Sequence, residues 1–530
     1  MTALESYRPA DCGIDLVDMA TGELLAAAAV EAPSTVAVVE VDPTGRRRAM
    51  TYAELHDAAV RTAQLLRKHY EPGDRLAIWS PSSLNWEVFQ FGAALAGLIV
   101  VTVNPAYRAR ELGFVLRQSR CAGIALTRQF RGVDQYELLA KVRESLPELR
   151  HVHDLDSWDP PEVDDAEPLA PVDSGAAAMI QYTSGTTGMP KGVLLSHRGL
   201  VNNARFIARR MGLGNGSTWL DPLPMFHLGG CELGAMGAMW TRSTHVVFTF
   251  EAGLALKLIE SEAANFIPAV PTMLFAMSEH RDFATTDRSS LQLIMSGATV
   301  VPPDVVRRVE SDFGCQFAVS FGQTECSGLI CQTFPDDTAE DKASYAGMPL
   351  EHTEIRVVDE HGVLVPRGAT GEIHVRSYGV MLRYFDAPEQ TREALSEDGW
   401  LHTGDLGVMD DRGYVKVTGR LKDMIIRGGE NIFPREIEDR LHTHSAVGDA
   451  AVVGIPDERW GEQIAAFVRL VEPGSVTQDD LVDFLRADLA PGKLPRIWVS
   501  VTEMPLTPSG KIQKFVLLEE YLAGNCKPLP

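Results

Sequence analysis

The chain has 530 residues, of which 45% are hydrophobic and 23% charged, as in an ordinary soluble globular protein. That length exceeds what one hydrophobic core usually supports, so we expect at least two domains. The chain has 49 basic and 72 acidic side chains, a net charge of −23, with no stripe of Lys or Arg, which argues against binding to nucleic acid or to an anionic membrane surface.

The sequence predicts no secretory signal, no transmembrane span and no cysteine pattern typical of disulfides or zinc. Residues 1–9 lack a basic region followed by an apolar core, so no secretory signal is predicted, and no apolar run reaches the length of a transmembrane span. The seven cysteines form no Cys-x-x-Cys pair, and their odd number argues against a disulfide framework as well as a zinc site. We therefore expect a cytoplasmic protein.

The N-terminal part alternates amphipathic helices with short apolar strands. Thr51 and Glu54 have capping-box spacing, which predicts that a helix begins there. The following elements are predicted as strands at 75–79, 99–103, 123–127 and 151–154 and as helices at 86–96, 111–118 and 136–145. This alternation predicts an α/β fold with a mostly parallel sheet. The acidic, Pro-containing stretch 158–173 is predicted as a surface linker.

The character of the chain changes after residue 345. Segments 354–358, 371–377 and 413–417, separated by Gly-containing turns, predict a smaller antiparallel, β-rich subdomain. The last block is predicted as a helix at 434–442, strands at 449–455 and 463–470, and a helix at 478–489 capped by Thr477. We expect an N-terminal domain of residues 1–421 and a small α+β domain of residues 422–530.

The segment from Tyr182 to Gly192, YTSGTTGMPKG, has the composition of a phosphate-binding loop between two strands. Its glycines allow close approach of the backbone to an anion, its hydroxyls donate hydrogen bonds, and Lys191 supplies a mobile positive charge. The nucleotide P-loop pattern fails, because Pro190 stands where Gly is required and Gly192 where Ser or Thr is required. A flexible surface loop is the alternative that composition alone leaves open.

Five motifs in order resemble the adenylate-forming superfamily, which includes acyl-CoA synthetases, adenylation domains of peptide synthetases and luciferases. They are residues 182–192, Phe321-Gly-Gln-Thr-Glu325, Trp400-Leu-His-Thr-Gly-Asp405, residues 419–431 and Pro505-Leu-Thr-Pro-Ser-Gly-Lys511. The resemblance implies a large N-terminal domain of α/β sheet layers with a β-rich subdomain, and a small mobile α+β C-terminal domain. It also implies a reaction in which a carboxylic acid attacks the α-phosphorus of ATP, giving an acyl-adenylate and pyrophosphate, before a thiol displaces AMP.

The resemblance assigns roles to residues of these motifs. For the β- and γ-phosphates it implies the loop residues Ser184, Gly185, Thr186, Thr187 and Lys191, and it adds Thr183 and Gly188 as further residues that bind the nucleotide. It places Phe321 against adenine, with Phe where the family more often has Tyr, and Thr324 on the α-phosphate, and it includes Gly322 among the nucleotide-binding residues. It places Glu325, with Thr186, on Mg2+, an ion that prefers oxygen ligands. It gives the ribose hydroxyls to Asp405, predicted at a strand end, with Arg420 as a donor to the same sugar.

Further roles concern the acyl group and domain motion. The segment Leu223-Pro-Met-Phe-His227 resembles the start of the acyl-pocket helix, with His227 as a gate; a satisfied core histidine is the alternative. Other pocket residues implied are Cys231, Gly234, Gly297, Ala298, Cys326 and Ser327, the cysteines being small buried hydrophobes rather than nucleophiles. Lys422 occupies the family's hinge position, and Lys511 resembles the lysine that bridges carboxylate and α-phosphate.

Within the superfamily, the chain looks most like freestanding medium- or long-chain acyl-CoA ligases and their aryl relatives. No phosphopantetheine attachment segment follows Lys511, and coenzyme A is the expected acceptor. Two alternatives stay open: adenylation of an unusual acid or oxyanion with transfer to an amine or carrier protein, and a catalytically silent nucleotide-binding protein. The sequence does not identify the acid, and a homodimer is the default expectation.

Overall fold

The structure is a computed structural model and describes residues 5–160, 168–183, 190–297, 303–428, 430–506 and 512–529. Its α-helices are Thr21–Glu31, Tyr52–Arg67, Leu84–Leu95, Ala109–Gln118, Gln135–Val142, His197–Met211, Ala235–Trp240, Ala252–Ser261, Pro271–Ser278, Pro303–Phe313, Ala339–Ser344, Pro388–Ala394, Pro434–His442, Gln478–Arg486 and Lys514–Leu522. In the described ranges, no helix combines the length and apolarity that crossing a bilayer requires.

Two large sheets form the N-terminal part. The seven-stranded sheet has the spatial order Arg383–Tyr384, Lys191–Ser196, Ala177–Thr183, Ile99–Val103, Arg75–Trp79, Gly123–Leu126 and His151–Asp154. The nine-stranded sheet has the order Met348–Pro349, Gly328–Gln332, Gln316–Gln323, Leu293–Gly297, Phe266–Pro268, Thr218–Asp221, Thr244–Phe248, Val36–Val41 and Arg47–Thr51. Central strands of both sheets run parallel. The edge strands are antiparallel to their neighbours except His151–Asp154, which runs parallel to Gly123–Leu126. This arrangement confirms the mostly parallel α/β prediction.

A third sheet is antiparallel throughout. Its five strands, in spatial order, are Tyr7–Arg8, Thr353–Val358, Gly371–Ser377, Leu401–Met409 and Val415–Arg420. The predicted β-rich subdomain is therefore present, and the first strand joins it from the N-terminus. A short hairpin, Gln129–Phe130 with Val133–Asp134, stands apart from the sheets.

One hydrophobic core joins these three sheets. Its buried members include Val100 from the seven-stranded sheet, Val247 from the nine-stranded sheet and Ile355 from the antiparallel sheet. Because each sheet covers an apolar face of another through shared side chains and the helices between them, the three pack together as layers. The candidate site is formed by residues on or directly after strands of all three sheets.

The C-terminal part has its own sheet of six strands. Its order is Glu430–Ile432, Ile425–Arg427, Gly461–Leu470, Ile497–Ser500 and Lys527–Pro528, with Val447–Asp457 also paired to Gly461–Leu470. Along the central strand, Ile464 and Ala466 face one core while Ala465 and Phe467 face another, as expected for a strand covered on both sides. A 3-10 turn, Leu421–Asp423, connects this sheet to the antiparallel one.

Most predicted elements occur at their predicted places. Thr51 caps helix Tyr52–Arg67 with the full capping box, since its side chain accepts from Glu54 N while the Glu54 side chain accepts from Thr51 N. Thr477 caps Gln478–Arg486 in the same way, although this helix ends earlier than predicted. The predicted linker lies partly outside the described residues, because 161–167 are not among them.

Candidate active site

A hairpin of the seven-stranded sheet carries the predicted phosphate loop. Thr183 ends one strand and Lys191 begins the next, and the two residues are antiparallel partners. The loop is therefore held at both ends by adjacent strands, which confirms its predicted place between two strands. The predicted residues Ser184, Gly185, Thr186, Thr187 and Gly188 lie outside the described part of the chain.

The motif from Phe321 to Glu325 lies where a central strand becomes a tight turn. Strand Gln316–Gln323 has a bulge between Phe321 and Gly322, and a 3-10 turn follows at Thr324–Cys326. A Cβ atom at Gly322 would lie 2.0 Å from Gly328 O, so only glycine allows the two backbones to approach so closely. Phe321 is partly buried against the main core, which leaves part of its ring accessible.

Asp405 joins this motif to the antiparallel sheet. Its Oδ2 accepts a hydrogen bond from Gln323 Nε2 at 2.5 Å, and its Oδ1 accepts one from Arg420 Nε at 3.1 Å. Gln323 Nε2 also donates to Thr403 O at 2.9 Å. Because each carboxylate oxygen has two lone pairs, both oxygens of Asp405 retain acceptor capacity. Gln323 had no predicted role, although it lies inside the motif that the sequence singled out.

The prediction that Asp405 ends a strand is wrong. It lies within Leu401–Met409, opposite Arg420 of the next strand. The pairing with Gly371–Ser377 shifts between Glu372 and His374, so residues 403–405 bulge outward, and Gly404 has φ +67°. A glycine that suggests a turn in the sequence instead allows a bulge within a continuous strand. The Asp405 carboxylate beside it is buried between Gln323 and Arg420.

Two further contacts bring Lys191 to Glu325. Tyr384 Oη donates a hydrogen bond to Glu325 Oε1 at 2.8 Å, and Lys191 Nζ lies 5.0 Å from the centroid of the Tyr384 ring. The backbone of Glu325 is held as well, because its carbonyl accepts from Met381 N at 2.8 Å. The structure thus brings together residues of three predicted motifs, and Tyr384 is a participant that no motif in the sequence indicated.

Positive charge gathers beside these carboxylates. Lys422 lies in the 3-10 turn Leu421–Asp423, immediately after Arg420. The pKa of Lys422 is lowered by partial desolvation first and then by the positive charge of Arg420, and Lys191 contributes in the same direction. Clustered cations of this kind suit a polyanion such as a triphosphate. Lys511 lies outside the described residues.

The candidate acyl pocket is built around a π-helix, Gly229–Gly234. His227, just before it, is exposed, which excludes the alternative of a core histidine, and its Nδ1 accepts from Gly229 N at 3.2 Å. Cys231 is fully buried, and its sulfur accepts a hydrogen bond from Gln181 Nε2 at 3.4 Å. Gln90 Nε2 donates to Cys231 O at 3.0 Å, so two buried amides that the sequence did not indicate contact this residue.

The other predicted pocket residues are tightly packed. A Cβ atom at Gly297 would lie 2.7 Å from Ser320 Oγ, and one at Gly234 would lie 1.9 Å from Asp221 Oδ2. Ser327 is buried, and its hydroxyl donates to Gly379 O at 2.7 Å. Cys326 is buried beside it, and Ala298 lies outside the described residues. Burial raises the pKa of the thiols of Cys231 and Cys326 well above its usual range, so both are neutral packing groups near neutral pH.

The residues fit a single magnesium ion held jointly with phosphate. In the described ranges, no group of three or more His, Cys, Asp or Glu side chains could hold a metal ion on its own. Glu325 offers one carboxylate: Oε1 accepts from Tyr384, while Oε2 accepts no hydrogen bond from any residue that the structure describes. A hard cation that keeps waters and phosphate oxygens needs no more than this from the protein.

Comparison with known proteins shows the family of this chain. Residues 25–385 match the family model of the AMP-binding enzyme, and residues 436–511 match that of the AMP-binding enzyme C-terminal domain. The mitochondrial medium-chain acyl-CoA ligase ACSF2 of Bos taurus is 34% identical over 553 residues, covering 97% of this chain and 89% of the relative.

Two solved structures are similar over nearly the whole chain. The anthranilate CoA ligase AuaEII, in complex with anthranoyl-AMP, has a TM-score of 0.86 at 26% identity and covers 96% of this chain and 98% of its own. A Mycobacterium tuberculosis fatty acyl CoA synthetase has a TM-score of 0.75 at 29% identity, and the match covers 95% of this chain and 99% of that synthetase. The chain has the adenylate-forming fold and belongs to the family of AMP-binding enzymes.

Proposed function

We propose that this protein is an ATP-dependent acid–thiol ligase that makes acyl-CoA in two steps. A carboxylate oxygen of the acid attacks the α-phosphorus of ATP and pyrophosphate leaves; the thiol of coenzyme A then attacks the acyl carbonyl and AMP leaves. The observation that carries the proposal is the convergence of Lys191, Glu325 and Asp405, which lie far apart in the sequence and are connected through Tyr384 and Gln323. Acyl-CoA ligases among the relatives support it.

The first step brings an anion to a polyanion, so the protein has to neutralise charge and align the reactants. Lys191 and the hydroxyl and amide groups of residues 183–188 are the proposed partners of the β- and γ-phosphates. Glu325, with Thr186, would hold Mg2+, which supplies charge neutralisation on the phosphates. Thr324 is the proposed donor to the α-phosphate, and Lys511 to the carboxylate and α-phosphate together.

The adenosine would be held on the opposite side of the reacting phosphorus. Asp405 is the proposed acceptor from the ribose hydroxyls, and Arg420 is the proposed donor to the same sugar. Gln323 and Arg420 both donate to the Asp405 carboxylate and hold it in place. Phe321 is the proposed stacking partner of adenine, and Gly322 follows it among the proposed nucleotide-binding residues. The nucleotide thereby stays in place while pyrophosphate leaves and the thiol arrives.

In the second step, the thiol of coenzyme A has to reach the acyl-adenylate that Lys511 contacts in the first. We place the division between two domains at residues 421 and 422, with Lys422 as the hinge, because the 3-10 turn there separates two sheets with separate cores. Rotation about this turn would withdraw Lys511 and open a path for the thiol past His227. A hinge residue absorbs backbone change without taking part in the chemistry.

The acid would lie against His227, Cys231, Gly297, Ala298, Cys326 and Ser327. The medium-chain ligases among the relatives make aliphatic acids the first class to test, and the anthranilate ligase makes aromatic acids the second. Gln181 and Gln90, which both contact Cys231, add two buried amides to this group of residues.

The decisive experiment is ATP–pyrophosphate exchange across a panel of aliphatic and aromatic acids, followed by acyl-CoA formation on addition of coenzyme A. We expect exchange that depends on the acid and Mg2+, and thioester formation without a carrier protein. If exchange occurs but the acyl group is transferred only to an amine or a carrier protein, that molecule is the acceptor instead of coenzyme A. ATP binding with no exchange for any acid would favour a silent nucleotide-binding protein.

Seven free cysteines support a reducing compartment, and we propose the cytoplasm. A homodimer stays a prediction, to be tested by light scattering.

A further inference from the structure

Tyr384 occupies a short edge strand beside the predicted phosphate loop. Strand Arg383–Tyr384 pairs with Lys191–Ser196, and Tyr384 stands opposite Val193. The residue is only 7% exposed and belongs to the main core. Its hydroxyl is nevertheless directed at a carboxylate rather than at solvent, so a purely apolar packing role does not account for a tyrosine here.

The tyrosine contacts two charged groups of the proposed site at once. Its hydroxyl donates a hydrogen bond to Glu325 Oε1 at 2.8 Å, and Lys191 Nζ makes a cation–π contact with its ring, 5.0 Å from the centroid. Hydrogen bonds to ionised acceptors are shorter and stronger than neutral ones, and an ammonium is attracted to the electron-rich face of an aromatic ring. Donation to a carboxylate also raises the electron density of the ring, so each contact strengthens the other.

The backbone that carries the ring is hydrogen-bonded to three neighbouring segments. Met381 N donates to Glu325 O at 2.8 Å, and Leu382 N donates to Leu194 O at 2.8 Å. Tyr384 N donates to Thr391 Oγ1 at 3.0 Å. The segment is therefore fastened both to the turn that carries Glu325 and to the strand that begins at Lys191. Tyr384 thus contacts both the carboxylate and the ammonium from a backbone that is hydrogen-bonded to the elements that carry them.

We propose that Tyr384 is a positioning residue for the magnesium–triphosphate end of ATP. It holds Oε1 of Glu325, which directs Oε2 to the metal, and it fixes the Lys191 ammonium at a set separation from that carboxylate. This role rests on the proposed function, because it requires that Glu325 and Lys191 bind Mg2+ and phosphate. It acts on the triphosphate and leaves the contacts to adenosine unchanged.

The chain offers a matched control in Tyr414. Its hydroxyl also donates to a carboxylate, Asp337 Oδ1 at 2.8 Å, and the guanidinium of Arg412 lies 4.4 Å from its ring centroid. The same two kinds of contact thus occur at a place that takes no part in the proposed site. Replacing this tyrosine reports what the loss of such contacts does to the fold alone.

The test compares Tyr384→Phe, Tyr384→Leu and Tyr414→Phe in the full-length chain by calorimetry. The ligands are α,β-methylene-ATP with varied Mg2+ and, separately, AMP without metal; urea midpoints report folding. We expect Tyr384→Phe to weaken Mg2+-dependent binding of the ATP analogue by about ten-fold or more, with AMP affinity and urea midpoint near those of the wild type. Tyr384→Leu, which also removes the ring from Lys191, is expected to weaken binding of the analogue without Mg2+ as well.

Two outcomes for the Tyr384→Phe variant would overturn the role. One is wild-type affinity of Tyr384→Phe for the magnesium-loaded analogue, and the other is equal loss of analogue and AMP binding, which a structural role would give. Tyr414→Phe is expected to bind both ligands as the wild type does, and a matching loss there would also overturn the role. A wild-type chain that binds neither ligand would refute the proposed function itself, and this role with it.

Discussion

A fully buried histidine between two carboxylates gives the sharpest prediction about stability. His245 Nδ1 donates to Glu87 Oε1 at 2.7 Å and its Nε2 donates to Asp221 Oδ2 at 3.1 Å. All three side chains are at most 2% exposed. The group ties helix Leu84–Leu95 to two strands of the nine-stranded sheet, and Asp221 Oδ1 also accepts from Leu223 N at the start of the acyl-pocket segment.

The size of the effect follows from the protonation of the histidine. Burial opposes the imidazolium charge, but attraction to Glu87 and hydrogen bonds to both carboxylates outweigh it and raise the pKa of His245 from 6.5 to about 9. That difference corresponds to about 3 kcal/mol of folding free energy. Because the folded pKa is the higher one, this stability is fully present below pH 6.5 and is lost as the pH rises through about 9.

We predict that His245→Gln lowers the free energy of unfolding by about 3–5 kcal/mol at pH 7, because it leaves two carboxylates buried without a cation. The neutral combination of Glu87→Gln, Asp221→Asn and His245→Gln should cost less, since no buried charge remains. Urea unfolding followed by tryptophan fluorescence measures both, because Trp86 and Trp219 lie beside Glu87 and Asp221 in the same elements.

The pH dependence separates the charge effect from packing. The difference in unfolding free energy between the wild type and the neutral combination should fall by about 3 kcal/mol between pH 6.5 and pH 9. A flat difference over this range would refute the reasoning. So would a His245→Gln variant within about 1 kcal/mol of the wild type, since breaking a buried ion pair has a larger cost.

Three further predictions test the proposed site and its backbone. Asp405→Asn should weaken AMP binding in calorimetry by about ten-fold or more, because a charged acceptor is lost. The control Asp410→Asn, just beyond the same strand, should leave AMP binding unchanged. Equal losses in the two variants would show that Asp405 does not bind the ribose. Lys511→Ala should abolish pyrophosphate exchange yet spare thioester formation from supplied acyl-adenylate, and equal loss of both steps would contradict domain alternation. Gly322→Ala should destabilise the fold by about 1–3 kcal/mol or more in thermal unfolding, because its Cβ would lie 2.0 Å from a backbone oxygen. In the control Gly214→Ala, the added Cβ meets nothing within 4 Å. Similar melting temperatures of the two variants would contradict the close backbone approach at Gly322.

Much of the fold follows from patterns that act locally. The capping boxes at Thr51 and Thr477 and the apolar strand Ile99–Val103 were predictable because caps and burial periodicity depend on neighbouring residues. The five motifs likewise predicted the family, which the matches to both family models confirm. Their roles in binding ATP stay predictions for the experiments above.

The order of residues along the chain was enough to predict which elements form, which motifs carry carboxylate, hydroxyl and ammonium groups, and membership of the AMP-binding enzymes. Which of these groups contact one another became known from the folded arrangement of the sheets. Tyr384 and Gln323 gain their roles from strand neighbours that are distant along the chain, and Asp405 from a bulge opposite another strand. Contacts between strands depend on register and sheet order, which no local pattern of residues encodes.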